Sequence, residues 1–214
     1  MISAEPVVFV VDDDLTIRKL VAGWLGSAGF QVRLFASAEE FLREYQSTAV
    51  GCIVLDVDLP GLDGLALQQR LVTEQISLPI VFVTGMGDVP ISVQAMKSGA
   101  VDFLTKPLDE DALLDAVRSA LERSRRIWLE CQELTSLRQC FEALTPRETE
   151  VLRLVVAGML NKQVAAELGI AEKTVKVHRA RVMSKLKAQS LAELVRWYEK
   201  AGLSKTAATG TYSE

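Results

Sequence analysis

The chain has 214 residues, of which 49% are hydrophobic and 24% are charged, a composition typical of a globular protein rather than of a disordered or fibrous one. No apolar run reaches the roughly 18 residues that a membrane span needs, and the early run Val7–Val11 ends at Asp12, so we expect neither a membrane anchor nor a secretory signal. Three widely spaced cysteines and a single histidine, His178, suggest neither a disulfide framework nor a zinc site, which favours a reducing compartment and predicts a cytoplasmic protein.

The net charge of −4 is divided unevenly along the chain. Residues 1–120 carry 17 acidic and 8 basic side chains, a net charge of −9, whereas residues 121–214 carry 11 acidic and 16 basic side chains, a net charge of +5. This division predicts two domains with different partners, of which the basic one is a candidate for binding nucleic acid.

The first half of the chain alternates short apolar runs with amphipathic stretches. Strands are predicted at Val7–Val11, Val32–Phe35, Cys52–Leu55, Ile80–Val83 and Asp102–Thr105. Helices are predicted near Thr16–Ser27, Ala38–Gln46, Leu65–Glu74, Ile91–Ser98 and Glu110–Ser124. Five such units predict a doubly wound, five-stranded parallel sheet with helices on both faces, the flavodoxin-like α/β fold.

The fifth predicted helix is followed by no glycine or proline before Leu144. Apolar side chains continue at helical spacing through Ile127, Cys131, Leu134, Leu137, Phe141 and Leu144. This pattern predicts a helical linker over residues 125–143. Its apolar face either packs on its own domain or pairs with a partner subunit, and the spacing leaves both open.

After Thr145-Pro146, which predict a helix cap, the pattern is purely helical. Helices are predicted near Pro146–Ala157, Lys162–Leu168, Glu172–Leu186 and Leu191–Lys200, with a tight turn at Gly169. Between Lys173 and Lys187 there are six basic residues and no acidic one. These features predict a helix-turn-helix whose second helix enters the major groove of DNA. The alternative is a basic helix face that is merely solvated.

Polar side chains follow four of the predicted strands: Asp12 and Asp13 the first, Asp56 the third, Thr84 the fourth and Lys106 the fifth. Because the carboxyl ends of such strands meet at one edge, we expect all five in one crevice. Three carboxylates there repel one another unless a cation lies between them, and hard oxygen ligands suit Mg²⁺. An aspartate can accept a phosphoryl group as a nucleophile, and a lysine and a hydroxyl can contact its oxygens. The alternative is a set of unrelated acidic strand ends with a simple Lys-Pro turn.

These residues stand in motifs that resemble the receiver domain of two-component response regulators. The motifs are Val10-Val11-Asp12-Asp13-Asp14, Leu55-Asp56-Val57-Asp58-Leu59-Pro60-Gly61-Leu62-Asp63-Gly64, Val83-Thr84-Gly85 and Thr105-Lys106-Pro107. The resemblance implies that Asp56 accepts a phosphoryl group from a sensor histidine kinase. It also implies that Asp13, Asp56 and the backbone carbonyl of Asp58 ligate Mg²⁺, with Asp12 assisting through water, and that Lys106 and Thr84 contact the phosphoryl group.

The same resemblance implies that Thr84 and Phe103 are the switch residues. In the family, phosphorylation draws the hydroxyl inward and the aromatic ring follows. This chain has a phenylalanine where tyrosine is commoner, so a surface contact that depends on a ring hydroxyl is not expected here.

The second half closely resembles the LuxR-type DNA-binding domain, through Leu144-Thr145-Pro146-Arg147-Glu148, Asn161-Lys162, Thr174-Val175-Lys176-Val177-His178 and Lys185-Leu186. The resemblance implies base-edge contacts by Lys176, Val177 and Ala180. It implies phosphate contacts by Lys162, Thr174, His178 and Arg181. Ala180 can only touch a thymine methyl group, so Lys176, with Arg179, is expected to carry the polar readout.

Together the two halves resemble the NarL/FixJ family, and its FixJ branch most closely, through Gly87-Asp88-Val89-Pro90 and Met96-Lys97. We therefore predict a receiver domain over residues 1–124, the linker over 125–143, a helix-turn-helix domain over 144–203 and a disordered tail over 204–214. The expected function is phosphorylation-dependent regulation of transcription, with Mg²⁺, a sensor histidine kinase and promoter DNA as partners and a homodimer formed on phosphorylation. The last helix is where the family's DNA-binding domains pair, so Leu194 and Trp197 are either pairing residues or core residues.

Two other functions remain open at this point. Asp56-Val57-Asp58 fits the nucleophile motif of haloacid dehalogenase-type phosphatases, although that family places the motif after its first strand and follows it with Thr or Val, where this chain has Leu59. A quorum-type regulator would share the DNA-binding half but would need a small-molecule cavity in place of the acidic crevice. Apart from phosphorylating and dephosphorylating itself, the predicted regulator is not an enzyme.

Overall fold

In a computed structural model, described over residues 5–46, 50–85 and 89–204, the chain forms two compact units. The first unit ends at Leu129 and the second begins at Glu130. The Gly87-Asp88 part of the FixJ-like motif lies outside the described residues, as does the predicted tail apart from Ser204. The predicted domain limits stay predictions.

The first unit is built on a five-stranded parallel sheet with the strand order β2-β1-β3-β4-β5. The strands are β1 (Val7–Val11), β2 (Gln31–Phe35), β3 (Gly51–Asp56), β4 (Ile80–Thr84) and β5 (Asp102–Thr105). Val11 lies opposite Leu55 and Thr84 lies opposite Thr105, so the carboxyl ends of the strands are level with one another. Every residue of β1, β3 and β4 is buried, because these strands lie inside the sheet and are covered on both faces.

Five helices cover the two faces of the sheet, and the first four of them connect the strands. They are α1 (Leu15–Ser27), α2 (Ala38–Glu44), α3 (Gly64–Thr73), α4 (Val89–Lys97) and α5 (Glu110–Glu142). Phe41 of α2, Leu67 of α3 and Ala95 of α4 are buried in the core on one face. Leu25 of α1 and Leu113 of α5 are buried in the core on the other face. The predicted doubly wound α/β fold is confirmed.

Helix α5 continues 18 residues beyond the predicted end of the fifth helix at Ser124, so the predicted linker is part of one 33-residue helix. The absence of glycine and proline explains this length, because nothing in the sequence ends the helix. In the second unit, Leu137, Phe141 and Leu144 pack on the core of that unit. This part of the apolar face therefore packs on its own domain, the first of the two readings.

The second unit contains α6 (Pro146–Val156), α7 (Asn161–Leu168), α8 (Glu172–Leu186) and α9 (Leu191–Lys200). The Thr145 hydroxyl accepts a hydrogen bond from the backbone N–H of Glu148, whose carboxylate in turn accepts one from the N–H of Thr145, which confirms the predicted cap. Gly169 ends α7 with a φ of 65°, a left-handed turn that glycine adopts without strain. Leu194 of α9 is fully buried and Trp197 is partly buried on the same core. None of the described helices has the length and apolar character of a membrane span.

Candidate functional site

The strands β1, β3 and β5 bring two carboxylates and one ammonium group together at the carboxyl edge of the sheet. Lys106 Nζ lies 2.9 Å from Asp12 Oδ2 and 2.6 Å from Asp56 Oδ2. Asp12 is only 3% exposed and Asp56 only 4% exposed, whereas Lys106 is partly exposed. The lysine therefore bridges two buried carboxylates and offsets the cost of placing them side by side.

Burial and hydrogen bonds act against each other on the ionisation of Asp12 and Lys106. Burial raises the pKa of Asp12 above its ordinary value, against the opposing hydrogen bonds from Lys106 and from the backbone N–H of Asp14. For Lys106, burial acts to lower the pKa, but the hydrogen bonds to Asp12 and Asp56 outweigh it and the pKa is raised. Lys106 therefore stays protonated.

Asp13 completes a group of three carboxylates that fits a divalent cation. Asp12, Asp13 and Asp56 each offer one oxygen, and these oxygens lie within 4.8 Å of one another. Asp13 is exposed, so one side of the group is open to water. Hard oxygen donors with an open side suit Mg²⁺, which retains several water ligands. Lys106 balances one of the three negative charges when all are ionised, and the remaining two equal the charge of the ion.

Asp58 lies beside this group and links it to β4. Its backbone N–H donates a hydrogen bond to Asp56 Oδ1 at 3.1 Å. Its carboxylate oxygen Oδ2 accepts a hydrogen bond from the buried hydroxyl of Thr84 at 3.3 Å. Sequence reasoning gave the side chain of Asp58 no role, and the contact with Thr84 was missed because it joins residues 26 positions apart.

The second predicted switch residue, Phe103, lies in β5 and is half-buried. Its ring centroid lies 6.3 Å from that of Phe82 in β4, so the ring packs on the neighbouring strand. Thr84 and Phe103 thus lie on the two adjacent strands that end at the cluster, and the Lys106–Pro107 peptide bond that follows β5 is cis.

Two supports of the cluster were not expected from the sequence. Asp14 is the N-cap of α1, where its side chain accepts a hydrogen bond from the N–H of Thr16, and Arg18 in the same helix donates to the backbone carbonyl of Asp12. Gly64 begins α3 against the backbone of Asp56, where an added Cβ would lie 2.3 Å from the Asp56 carbonyl oxygen. A glycine directly after the cap residue Asp63 is the sequence signal that could have identified this close approach.

In the second unit, one face of α8 packs on the core and another face is exposed to solvent. Val175, Val182 and Leu186 are buried in the core. Most of the predicted DNA-binding residues are exposed, and these are Lys162, Thr174, Lys176, Val177, Ala180 and Arg181. An exposed basic face on a firmly packed helix is the geometry that reading of a DNA groove requires.

Three of the predicted DNA-binding residues have local surroundings that the sequence did not reveal. Lys176 Nζ lies 3.1 Å from a carboxylate oxygen of Glu172, one turn earlier. Arg179 is half-buried and donates a hydrogen bond to Asn161 Oδ1 at 3.2 Å. His178 is half-buried, and its Nδ1 has no hydrogen-bond partner among the described residues.

Lys185 was counted in the basic run, but its ammonium group turns inward. Its Nζ lies 2.7 Å from Glu148 Oε2 and also donates to the carbonyl of Ala143. The hydrogen bond from Lys185 is the main cause that lowers the pKa of the buried Glu148 to about 2, with help from the N–H of Thr145. This ion pair joins α6 to α8 and helps to fix the position of α8.

Comparison with known proteins assigns a family to each unit. Residues 8–118 match the response regulator receiver domain, and residues 142–198 match the family of bacterial regulatory proteins named after luxR. Nodulation protein W of Bradyrhizobium diazoefficiens is 48% identical over 94% of this chain and 89% of its own length. Transcriptional regulatory protein FixJ of the same organism is 41% identical over 92% of this chain and 96% of its own length.

A solved structure shows the same similarity in three dimensions. The response regulator StyR, known from a low-resolution structure, has a TM-score of 0.81 and 47% identity to this chain. The similarity covers 92% of this chain and all of that one, so it includes both units.

Proposed function

This chain belongs to the NarL/FixJ family of two-component response regulators, which are transcription regulators, and from that premise we propose that phosphorylation of Asp56 controls its binding to promoter DNA. The observation that carries the proposal is the position of Lys106 between Asp12 and Asp56. We further propose that the protein works in the cytoplasm with a sensor histidine kinase as its phosphodonor.

The arrangement at Asp56 suits the transfer of a phosphoryl group. A carboxylate oxygen of Asp56 attacks the phosphorus atom while the bond from phosphorus to the donor breaks. Lys106 is already within hydrogen-bond distance of Asp56, so it can follow the negative charge onto the phosphoryl oxygens. Mg²⁺, held by Asp13, Asp56 and the backbone carbonyl of Asp58 with Asp12 assisting through water, would supply further positive charge against those oxygens.

The contact between Thr84 and Asp58 suggests how the modification is sensed. The Thr84 hydroxyl now donates a hydrogen bond to Asp58 at 3.3 Å. A phosphoryl group on Asp56 would give this hydroxyl a second charged acceptor, and the hydroxyl could then donate to that group in place of Asp58. We propose that this exchange moves the end of β4 and the ring of Phe103, so that two chains pair. Pairing would bring two copies of α8 to half-sites about one turn of DNA apart, where Lys176, Arg179 and their neighbours make contact.

The family assignment removes the two rival functions. A match to the receiver domain over residues 8–118 is a match to neither a haloacid dehalogenase-type phosphatase nor the ligand-binding half of a quorum-type regulator. Asp56 is also the last residue of β3, the third strand in chain order, whereas the phosphatase motif stands after the first strand.

Labelling with a small phosphodonor tests the assignment of Asp56. The wild-type chain, incubated with acetyl phosphate and Mg²⁺, is expected to gain one phosphoryl group in its intact mass, and Asp56→Asn none. Asp115→Asn is a matched control, because Asp115 lies on the exposed side of α5 and, among the described residues, forms an ion pair only with Arg118. Labelling of Asp56→Asn at the wild-type rate, or repeated turnover of a phosphoester by the wild-type chain, would contradict the proposal.

A further inference from the structure

The loop over residues 57–63 joins β3 to α3 and carries Asp58. Its two ends are fixed by backbone hydrogen bonds, from the N–H of Val57 to Val83 at 2.9 Å and from the N–H of Gly64 to Val57 at 3.0 Å. The side chain of Leu59 is buried in the core and holds the first part of the loop.

The second part of the loop is held from α2, by a residue 23 positions away in the chain. Glu39 Oε1 accepts a hydrogen bond from the backbone N–H of Leu62 at 3.0 Å. Hydrogen bonds from the backbone N–H groups of Glu39 and Leu62 and from the Ser37 hydroxyl lower the pKa of Glu39, so the carboxylate is ionised at neutral pH. An ionised acceptor makes a stronger hydrogen bond than a neutral one.

Gly61 leaves the room that this contact needs. Its φ of 80° is in the left-handed region, and a Cβ added there would lie 2.9 Å from Glu39 Oε1. The carboxylate therefore occupies the position that a side chain at residue 61 would take. The hydrogen bond to Leu62 and the space left at Gly61 are two separate observations, and both show that the Glu39 carboxylate fits closely against the loop.

We propose that Glu39 is a positioning residue that holds the loop in the orientation at which the backbone carbonyl of Asp58 ligates Mg²⁺. Pro60 lies between Asp58 and Leu62 and fixes one backbone angle of the short connection, so a shift at Leu62 is passed on to Asp58. Without the contact, the loop spends less time in the ligating orientation. The apparent dissociation constant for Mg²⁺ then rises in inverse proportion to the competent fraction. This inference rests on the proposed function.

Calorimetric titration of the full chain with MgCl₂ tests this role without measuring labelling. We expect Glu39→Ala to raise the dissociation constant roughly three- to tenfold, the range set by loss of one ordinary hydrogen bond, because this bond is exposed to solvent. Glu39→Gln keeps an acceptor oxygen and is expected to stay within about twofold of the wild-type constant. Glu44→Ala is the matched control and should titrate like the wild-type chain, because Glu44 lies at the other end of α2 and forms exposed ion pairs with Arg33 and Arg43.

Hydrogen exchange of the peptide that spans residues 57–63 provides a second readout, and it should quicken in Glu39→Ala but not in Glu44→Ala. Equal Mg²⁺ affinity in Glu39→Ala and the wild-type chain would overturn the inference. An equal loss of Mg²⁺ affinity in Glu39→Gln and Glu39→Ala would also overturn it. The negative charge of Glu39, rather than its hydrogen bond to the loop, would then account for the affinity. A wild-type chain that binds no Mg²⁺ and gains no phosphoryl group would instead refute the proposed function itself.

Discussion

At the scale of single residues, the position of Asp56 depends on the smallest side chain in its vicinity. A Cβ at Gly64 would lie 2.3 Å from the carbonyl oxygen of Asp56 and 3.0 Å from the Cα of Val57. Both neighbours are backbone atoms, which cannot move aside as the end of a flexible side chain could. The end of β3 and the start of α3 can be this close only because residue 64 is glycine.

Gly64→Ala is therefore expected to destabilise the first unit by about 1–3 kcal/mol, the usual cost of overpacking. Hydrogen-exchange protection of the β3 and α3 amides, measured on the full chain, checks this. Gly23→Ala is the control, because Gly23 lies inside α1 with nothing within 4 Å of an added Cβ. The control should keep or gain up to about 1 kcal/mol of stability, since alanine favours helices. If the β3 and α3 amides of Gly64→Ala kept the hydrogen-exchange protection of the wild-type chain, the backbone would be shown to accommodate the added Cβ without loss of stability.

At the scale of the elements, one ion pair with a buried carboxylate connects α6 to α8, the helix that carries the basic face. Glu148 on α6 is 3% exposed and pairs with Lys185 on α8 at 2.7 Å. The pKa of Glu148 is about 2 in the folded chain against an ordinary value of 4.5. A lowered pKa means that the folded state prefers the ionised form. The stabilisation is thus complete above pH 4.5 and is lost as the pH falls toward 2.

We expect Glu148→Gln to lower the melting temperature of the second unit near neutral pH, because Lys185 loses its charged partner, at a cost of about 1–3 kcal/mol. The difference from the wild-type chain should shrink as the pH is lowered from 4.5 toward 2, because the unfolded wild-type chain takes up a proton at Glu148 in this range while the folded chain does not. Scanning calorimetry of the full chain at several pH values measures both effects. Glu150→Gln, two residues further along α6 and exposed, is the control and should change little. A difference that grows in acid would contradict the assigned pKa direction.

The helices and strands could be predicted from the sequence for one reason, and the acidic cluster for another. Strand β1 and helix α8 follow from local apolar patterns, and both were predicted with the observed bounds. The meeting of Asp12, Asp56 and Lys106 follows from a general property of parallel sheets, whose strand ends lie at one edge. The contacts of Glu148 with Lys185 and of Glu39 with Leu62 could not be predicted, because they depend on how separate helices and loops pack.

At the scale of the whole molecule, the acidic and basic halves of the sequence correspond to two units with separate chemistry. The acidic cluster belongs to the first unit and the basic face of α8 to the second. A substitution in one unit should therefore leave the local chemistry of the other intact. Lys176 provides a clear case, because it is exposed and contacts only Glu172 among the residues described.

Lys176→Ala is expected to weaken binding to the specific operator by about 1–3 kcal/mol, at the lower end because the contact with Glu172 must first be given up. Labelling of Asp56 by acetyl phosphate should proceed at the wild-type rate in the same variant. A DNA titration at fixed salt and an intact-mass measurement check the two statements. Unchanged operator affinity would remove Lys176 from the readout, and slowed labelling would show that the units are not chemically independent.

The parallel sheet also places one rim of the first unit away from the acidic cluster. All three central side chains of the cluster come from the carboxyl ends of strands, so the turns that enter the strands at the opposite rim contribute none of them. The turn between α3 and β4, over residues 74–79, is one such entry point. A fluorophore or a short peptide grafted there would give a reporter of the protein's state that stays clear of its reactive groups.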